Sequence, residues 1–381
     1  MTRLAGTERE GKDMEKKDRL MSLDALRGFD MFFITGGAAI VSGLCLGLGC
    51  DDSCWLVQQM RHVPWAGLAH HDTIFPLFLF LAGVSWPFSL ASQEARGRTP
   101  WQIHRKVLVR VLVLFLLGLS SGGILAFKPT FRIPSVLGQI GLAWGAAALI
   151  SMHVKRNLVR GAVAAAILIG YWAVLNFFAA PGAPAGADTY SMEFNLVSWL
   201  DRTLMPNHIL EKLYDPESVF SVPAATALAL AGVMSGDLLR SQSLPGARKA
   251  AVLFGAALAA LAAALFFVYV LGMPVVKRLW TSSFVLATAA YSLAMLAAFY
   301  WIVDVKGWRK WTFPLRVVGM NSIAIYMLGM TGVVGALRKY CFSGLCEWSG
   351  AWSMLAWGAT TFLVGWLILY FLYRKNAFIK V

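Results

Sequence analysis

Charge is what this chain has least of. Only 14% of its 381 residues are Asp, Glu, Lys or Arg, against about a quarter in a soluble domain. Acid is the scarcer sign, 20 residues against 34 basic ones, for a formal charge of +14. The surplus does not point to nucleic acid, because the basic residues sit in short clusters between apolar runs. Cysteine is sparse, with five residues, and CDDSC (50–54) lacks the two-residue spacing usual between metal cysteines, so no metal is expected. No polar stretch is long enough for a separate soluble domain. Nor is there an inverted repeat of the kind that many transporters carry.

What is there is hydrocarbon. Apolar residues make up 58% of the chain, and the mean hydropathy is +0.63. These values predict an all-α, polytopic membrane helix bundle. About ten stretches are long enough to cross ~30 Å of lipid as helices. They fall near 24–48, 72–93, 107–127, 135–153, 161–179, 219–239, 250–272, 281–303, 317–337 and 351–373.

Lys and Arg set the orientation. One set of alternate loops holds nine: Arg61, Lys128, Arg132, Arg202, Lys212, Lys277, Arg278, Arg338 and Lys339. The other 25, Arg110 among them, fall on the opposite side, which is therefore expected to be cytoplasmic, with both termini. A disordered cytoplasmic leader is expected over 1–20. The first span is too long for a signal-peptide core and is expected to stay as an anchor. Residues 21–381 then read as one transmembrane domain, with an extracytoplasmic loop at about 180–218. Cys50 and Cys54, and Cys341 and Cys346, fall in outer loops. Pairing within each loop is the simplest expectation for an oxidising exterior.

Ionisable groups near a span are costly to place there and are functional candidates by default. Asp24, Arg27 and Asp30 lie three apart on one helical face at the inner end of the first span. They read either as a structural ion pair or as an anion site centred on Arg27. His62, His70, His71 and Asp72 crowd the outer mouth of the second span. Imidazole beside carboxylate is a proton-moving arrangement, and Asp72 is equally a helix N-cap. Nothing in their spacing separates the three histidines. Trp65, Arg132, Lys277, Arg278 and Trp280 lie at other outer span ends. Asn321 and Ser322, in GMNSIAIY, lie near the inner end of the ninth span as hydrogen-bonding groups or interhelical contacts.

Seven pieces in order then carry a resemblance: RLMSLDALRG (19–28), HVPWAGLAHHDTIFPLFLFLAG (62–83), RIPSVLGQIGLAW (132–144), YDPES (214–218), LWTSSFVL (279–286), VDVKG (303–307) and GMNSIAIY (319–326). The chain resembles the heparan-alpha-glucosaminide N-acetyltransferase family of membrane acetyltransferases. The resemblance implies transfer of acetyl from cytoplasmic acetyl-CoA to an amino sugar or glycan hydroxyl across the membrane. In a bacterium that would be the inner (cytoplasmic) membrane. The motif H-x-x-W-x-G-L-x-x-x-D implies His62 as catalytic base or transient acetyl carrier, with Asp72 beside it. Asn321 is the expected oxyanion donor. Arg27, Asp24, Asp30, Arg132 and Ser322 are expected at acetyl-CoA, and Trp65, His71, Lys277 and Trp280 at the acceptor. A homodimer in contact with membrane lipid is the implied assembly. Departures exist: Ala38 replaces a family asparagine, Gly138-Gln139 replaces a Gln-Arg pair, and Asp30 is outside the pattern. The competing reading is a transporter or flippase for a sugar or lipid-linked sugar.

Overall fold

A computed structural model describes residues 20–127 and 130–379. The leader up to residue 19, Lys128 and Lys380 lie outside the described residues. Among those described the fold is helical, with two isolated β-bridges, Ala66 to Val276 and Ala179 to Asn195. The helices are α1 (Met21–Phe32), α2 (Ala38–Gly47), α3 (Trp55–Gln59), α4 (His70–Ala95), α5 (Pro100–Ser121), α6 (Val136–His153), α7 (Asn157–Phe177) and α8 (Leu196–Leu204). After them come α9 (Val222–Arg240), α10 (Gly246–Tyr269), α11 (Ser282–Phe299), α12 (Phe313–Gly319), α13 (Ser322–Met330), α14 (Val333–Trp348) and α15 (Ser353–Arg374).

The bundle is an all-α polytopic membrane fold. Among the described residues eight helical segments are long and apolar enough to span, including Met21–Gly47, His70–Ala95 and Ser282–Val305. The α5 helix forms over 22 residues but carries Arg105, Lys106 and Arg110, which make it less apolar. The stretch expected as one span at 317–337 is instead broken. Helical segments Lys310–Gly319 and Ser322–Met330 meet at 58°, and the chain turns again at Gly332 (φ 74°) before α14. The first span is also bent. A π-helical turn, Phe33–Gly37, joins α1 to α2, with Gly36 at φ 144°.

Local signals place several helix starts. Thr99 caps α5 with Gln102 returning the bond and Pro100 at the first helical position. Ser135 caps α6. Close crossings are made by glycine. A Cβ on Gly83 of α4 would sit 2.3 Å from the Ala229 carbonyl oxygen of α9, and one on Gly232 would sit 2.2 Å from that of Phe80. Backbones that approach this closely gain van der Waals contact, which drives helix association in lipid.

Candidate active site

The His62 imidazole is held by what its loop does before α4. Ala66 bridges to Val276, and the Gly67 amide donates to the Val275 carbonyl at 2.8 Å. Arg278 donates to the Pro64 carbonyl at 3.1 Å. Trp65 packs on Tyr214 and donates from its indole N–H to the Tyr190 carbonyl at 2.9 Å. The loop is thus pinned between the segment before α11 and the long loop before α9.

Asp72 is the hub. It lies in the first turn of α4 and is 1% exposed. Its Oδ2 accepts from the Val63 and Ala69 amides, each at 3.2 Å. Its Oδ1 faces His62 Nδ1 at 2.7 Å and Lys277 Nζ at 3.3 Å. Asp72 is not the N-cap residue, which is Ala69, but from the third position it still satisfies the cap amide. Capping and pairing with histidine are therefore one function of one carboxylate. Lys277 Nζ also lies 3.1 Å from His62 Nδ1. A single nitrogen cannot both donate to Asp72 and accept from Lys277. The shorter contact to a buried carboxylate assigns the proton to Nδ1, which leaves the Nε2 lone pair free. The His62 side chain is 48% exposed, so a solute can reach it. Burial lowers the Lys277 pKa, and the nearby carboxylates of Asp72 and Glu217 partly restore it.

The other two histidines separate here. His71 lies against His62, ring centroids 4.5 Å apart. His70 turns into the bundle, where Nε2 meets the Tyr291 hydroxyl at 3.1 Å and the ring meets Phe33 at 4.4 Å. Trp280, expected to touch the acceptor, is fully buried and packs on Phe75 and Phe284. It supports the site from beneath.

The structure brings Arg132 to this end rather than to Arg27. Its guanidinium takes both oxygens of Asp215, at 2.9 and 2.5 Å, and also pairs with Glu217. Burial opposes the Arg132 charge, but the two carboxylates overcome it and raise its pKa. The composite YDPES–RIP contact was invisible as spacing, because 83 residues separate its halves.

At the other end of the bundle Arg27 pairs with Asp24 at 3.7 Å and with the Ser85 hydroxyl. Ser85 is thirteen residues beyond Asp72 on α4, or about 20 Å along the helix. Arg110, expected on the cytoplasmic side, sits within α5, stacked over Trp144 at 4.1 Å, with its Nε unpartnered among the described residues and Arg27 within electrostatic reach. A lone arginine inside an apolar run was the available signal. Asp30 is 1% exposed. Asn321 does not join His62. Its side chain clasps the C-terminal segment, donating to the Ala377 carbonyl at 3.2 Å and accepting from the Ile379 amide at 2.9 Å. Ser322 is buried beside it.

The cysteine expectation is corrected. All five are free thiols. Cys341 and Cys346 both lie on α14, and five residues along a helix put their side chains about 140° apart. Among the described residues no group of three His, Cys, Asp or Glu side chains is placed to hold a metal ion.

No family model matches the chain. It is 25% identical over 377 residues to the heparan-alpha-glucosaminide N-acetyltransferase of Mus musculus, covering 83% of this chain and 55% of that protein. With the Homo sapiens protein of the same name it shares 24% over 372 residues, covering 81% of this chain and 52% of the relative. The chain spans about half the length of these curated relatives. It is a distant relative of the heparan-alpha-glucosaminide N-acetyltransferases.

Proposed function

We propose that this protein is a transmembrane acetyltransferase that moves acetyl from acetyl-CoA to an amino sugar or glycan hydroxyl. The observation that carries this reading is the half-exposed His62 with its Nδ1 held 2.7 Å from buried Asp72. Its support is the name borne by both relatives. Nε2 removes the proton from the acceptor as that group attacks the thioester carbon. Alternatively the acetyl group rests on Nε2 before reaching the acceptor. A positioned base contributes about 10²–10⁴-fold. The Lys277 ammonium, 3.1 Å from the imidazole, supplies the positive charge for the oxyanion, in place of Asn321, whose side chain bonds the C-terminal segment. At the far end Arg27 and Arg110 offer cationic groups to the phosphates of the donor. In this reading the Arg27 end faces the cytoplasm of a bacterial inner membrane, the His62 end faces outward, and the protein acts as a homodimer.

The test is labelled acetyl-CoA with purified protein and a panel of amino sugars and glycans, wild type against His62→Ala. Transfer by wild type and none by the variant, with acetyl-CoA binding retained, is expected. Wild-type protein that neither binds acetyl-CoA nor acetylates any acceptor, yet carries sugar into vesicles, would establish the transporter reading instead.

A further inference from the structure

Two histidines lie outside the site already described, at the opposite end of the bundle. His104 is in the second turn of α5, and His153 is the last residue of α6. Their Nε2 atoms face each other at 3.4 Å. His104 Nδ1 lies 2.7 Å from the Pro100 carbonyl oxygen. That oxygen can only accept, so Nδ1 carries the proton and Nε2 presents a lone pair to His153. A carbonyl behind one ring nitrogen is also the support usual for a histidine that ligates a metal through the other.

The spacing is poor for a hydrogen bond, which runs about 2.7–3.2 Å. It suits a shared ion. Two bonds of about 2.0–2.1 Å at the tetrahedral angle put the nitrogens about 3.3–3.4 Å apart. Continuing each bond about 1.1–1.2 Å to the ring centre puts the centroids about 5.1–5.4 Å apart. The observed centroid separation is 5.3 Å. Rings aimed head-on across the same gap would stand about 5.6–5.8 Å apart. The two imidazoles therefore converge on one point.

We propose that His104 and His153 bind a divalent transition-metal ion, zinc being the model case, which ties the start of α5 to the end of α6. Among the described residues no third His, Cys, Asp or Glu completes the set, so water or an exchangeable anion fills the remaining positions. Arg105, Lys106, Lys155 and Arg156 adjoin the two histidines in sequence. Their charge discourages calcium and magnesium, hard ions that need oxygen ligands. It favours an anion as the extra ligand. Zinc, nickel or copper gain their affinity from the imidazole nitrogens themselves. The tethered helices are the pair that hold Arg110 over Trp144, but the metal site stands independently of the acetyl-transfer reading.

The experiment uses full-length, tag-free protein in detergent, stripped with EDTA and titrated with zinc chloride. Calorimetry counts the ions bound, and a thermal melt follows stability. Wild type should bind one more zinc than His104→Ala or His153→Ala and melt higher as that site fills, because an ion held only by the folded state stabilises it. Each variant should weaken this site at least about tenfold, and the double variant should lose no more zinc than either single one. Both positions are solvent-accessible, so the stripped variants should melt near wild type. Magnesium and calcium should leave the melt unchanged. Zinc binding by either variant equal to that of wild type overturns the site, whatever else on the chain binds zinc. So does a wild type that binds none, or a double variant that loses two ions, which would make the histidines separate ligands.

Discussion

At the scale of the residue, the site turns on one carboxylate that serves two partners. Asp72 fixes the His62 tautomer and anchors Lys277, so Asp72→Asn is expected to cut turnover by about 10²–10⁴-fold while acetyl-CoA affinity is unchanged. Steady-state kinetics beside a binding titration check this. Lys277 carries a sign. Burial lowers its pKa, so its ammonium is lost at a lower pH than that of a free lysine. The rate should therefore fall on the alkaline side before the usual lysine range. Lys277→Met should be slower throughout and lack that limb in a pH–rate profile. Asp201 carries the opposite sign. Burial raises its pKa to about 7, although the Ser218 hydroxyl donates to it at 2.8 Å. The folded state then holds a proton that the unfolded chain releases above the ordinary carboxylate value. Folding gains stability as pH falls through 7 toward 4 and loses it as pH rises. Asp201→Asn should melt independently of pH across that window and exceed wild type at pH 8, by roughly 1–3 kcal/mol. The His-x-x-Trp motif and Asp72 were legible in the sequence. Lys277 as a direct partner of His62 was not, because 215 residues separate them.

At the scale of the element, apolar run length located the helices well, since a helix is the one local structure that satisfies its own backbone in lipid. It failed at 317–337, where composition stays apolar through two changes of direction. Asn321 marks the first, its side chain diverted to the C-terminal segment, and Gly332 marks the second. Glycine positions were equally silent about their purpose until the α4–α9 crossing showed carbonyl oxygens against Gly83 and Gly232. Gly232→Val would drive its Cβ into the Phe80 carbonyl. Overpacking of this kind costs about 1–3 kcal/mol. The expected result is a lower melting temperature in detergent and a fall in activity that tracks it, whereas Gly255→Ala, on the open face of α10, should change neither.

At the scale of the whole molecule, the expected sidedness has a direct test in the free thiols. Cys50 and Cys341 are exposed and both are expected outside. A membrane-impermeant maleimide should label both in intact cells without prior reduction. Labelling of either only after permeabilisation would reverse that part of the topology. Failure to label without reductant would restore the disulfides.

The sequence by itself determined that this is a membrane bundle, roughly where its helices run, and which histidine stands in the motif, because hydropathy and short motifs are local properties. Only the tertiary structure decided the company each polar group keeps. It joined His62 and Asp72 to Lys277, moved Arg132 into a carboxylate clamp, tied Asn321 to the C-terminal segment, buried Trp280 beneath the site, and set His70 against Tyr291. The physical reason is that a buried charge or polar atom needs a partner. In a bundle that partner comes from a different helix, at a distance along the chain that no local pattern records.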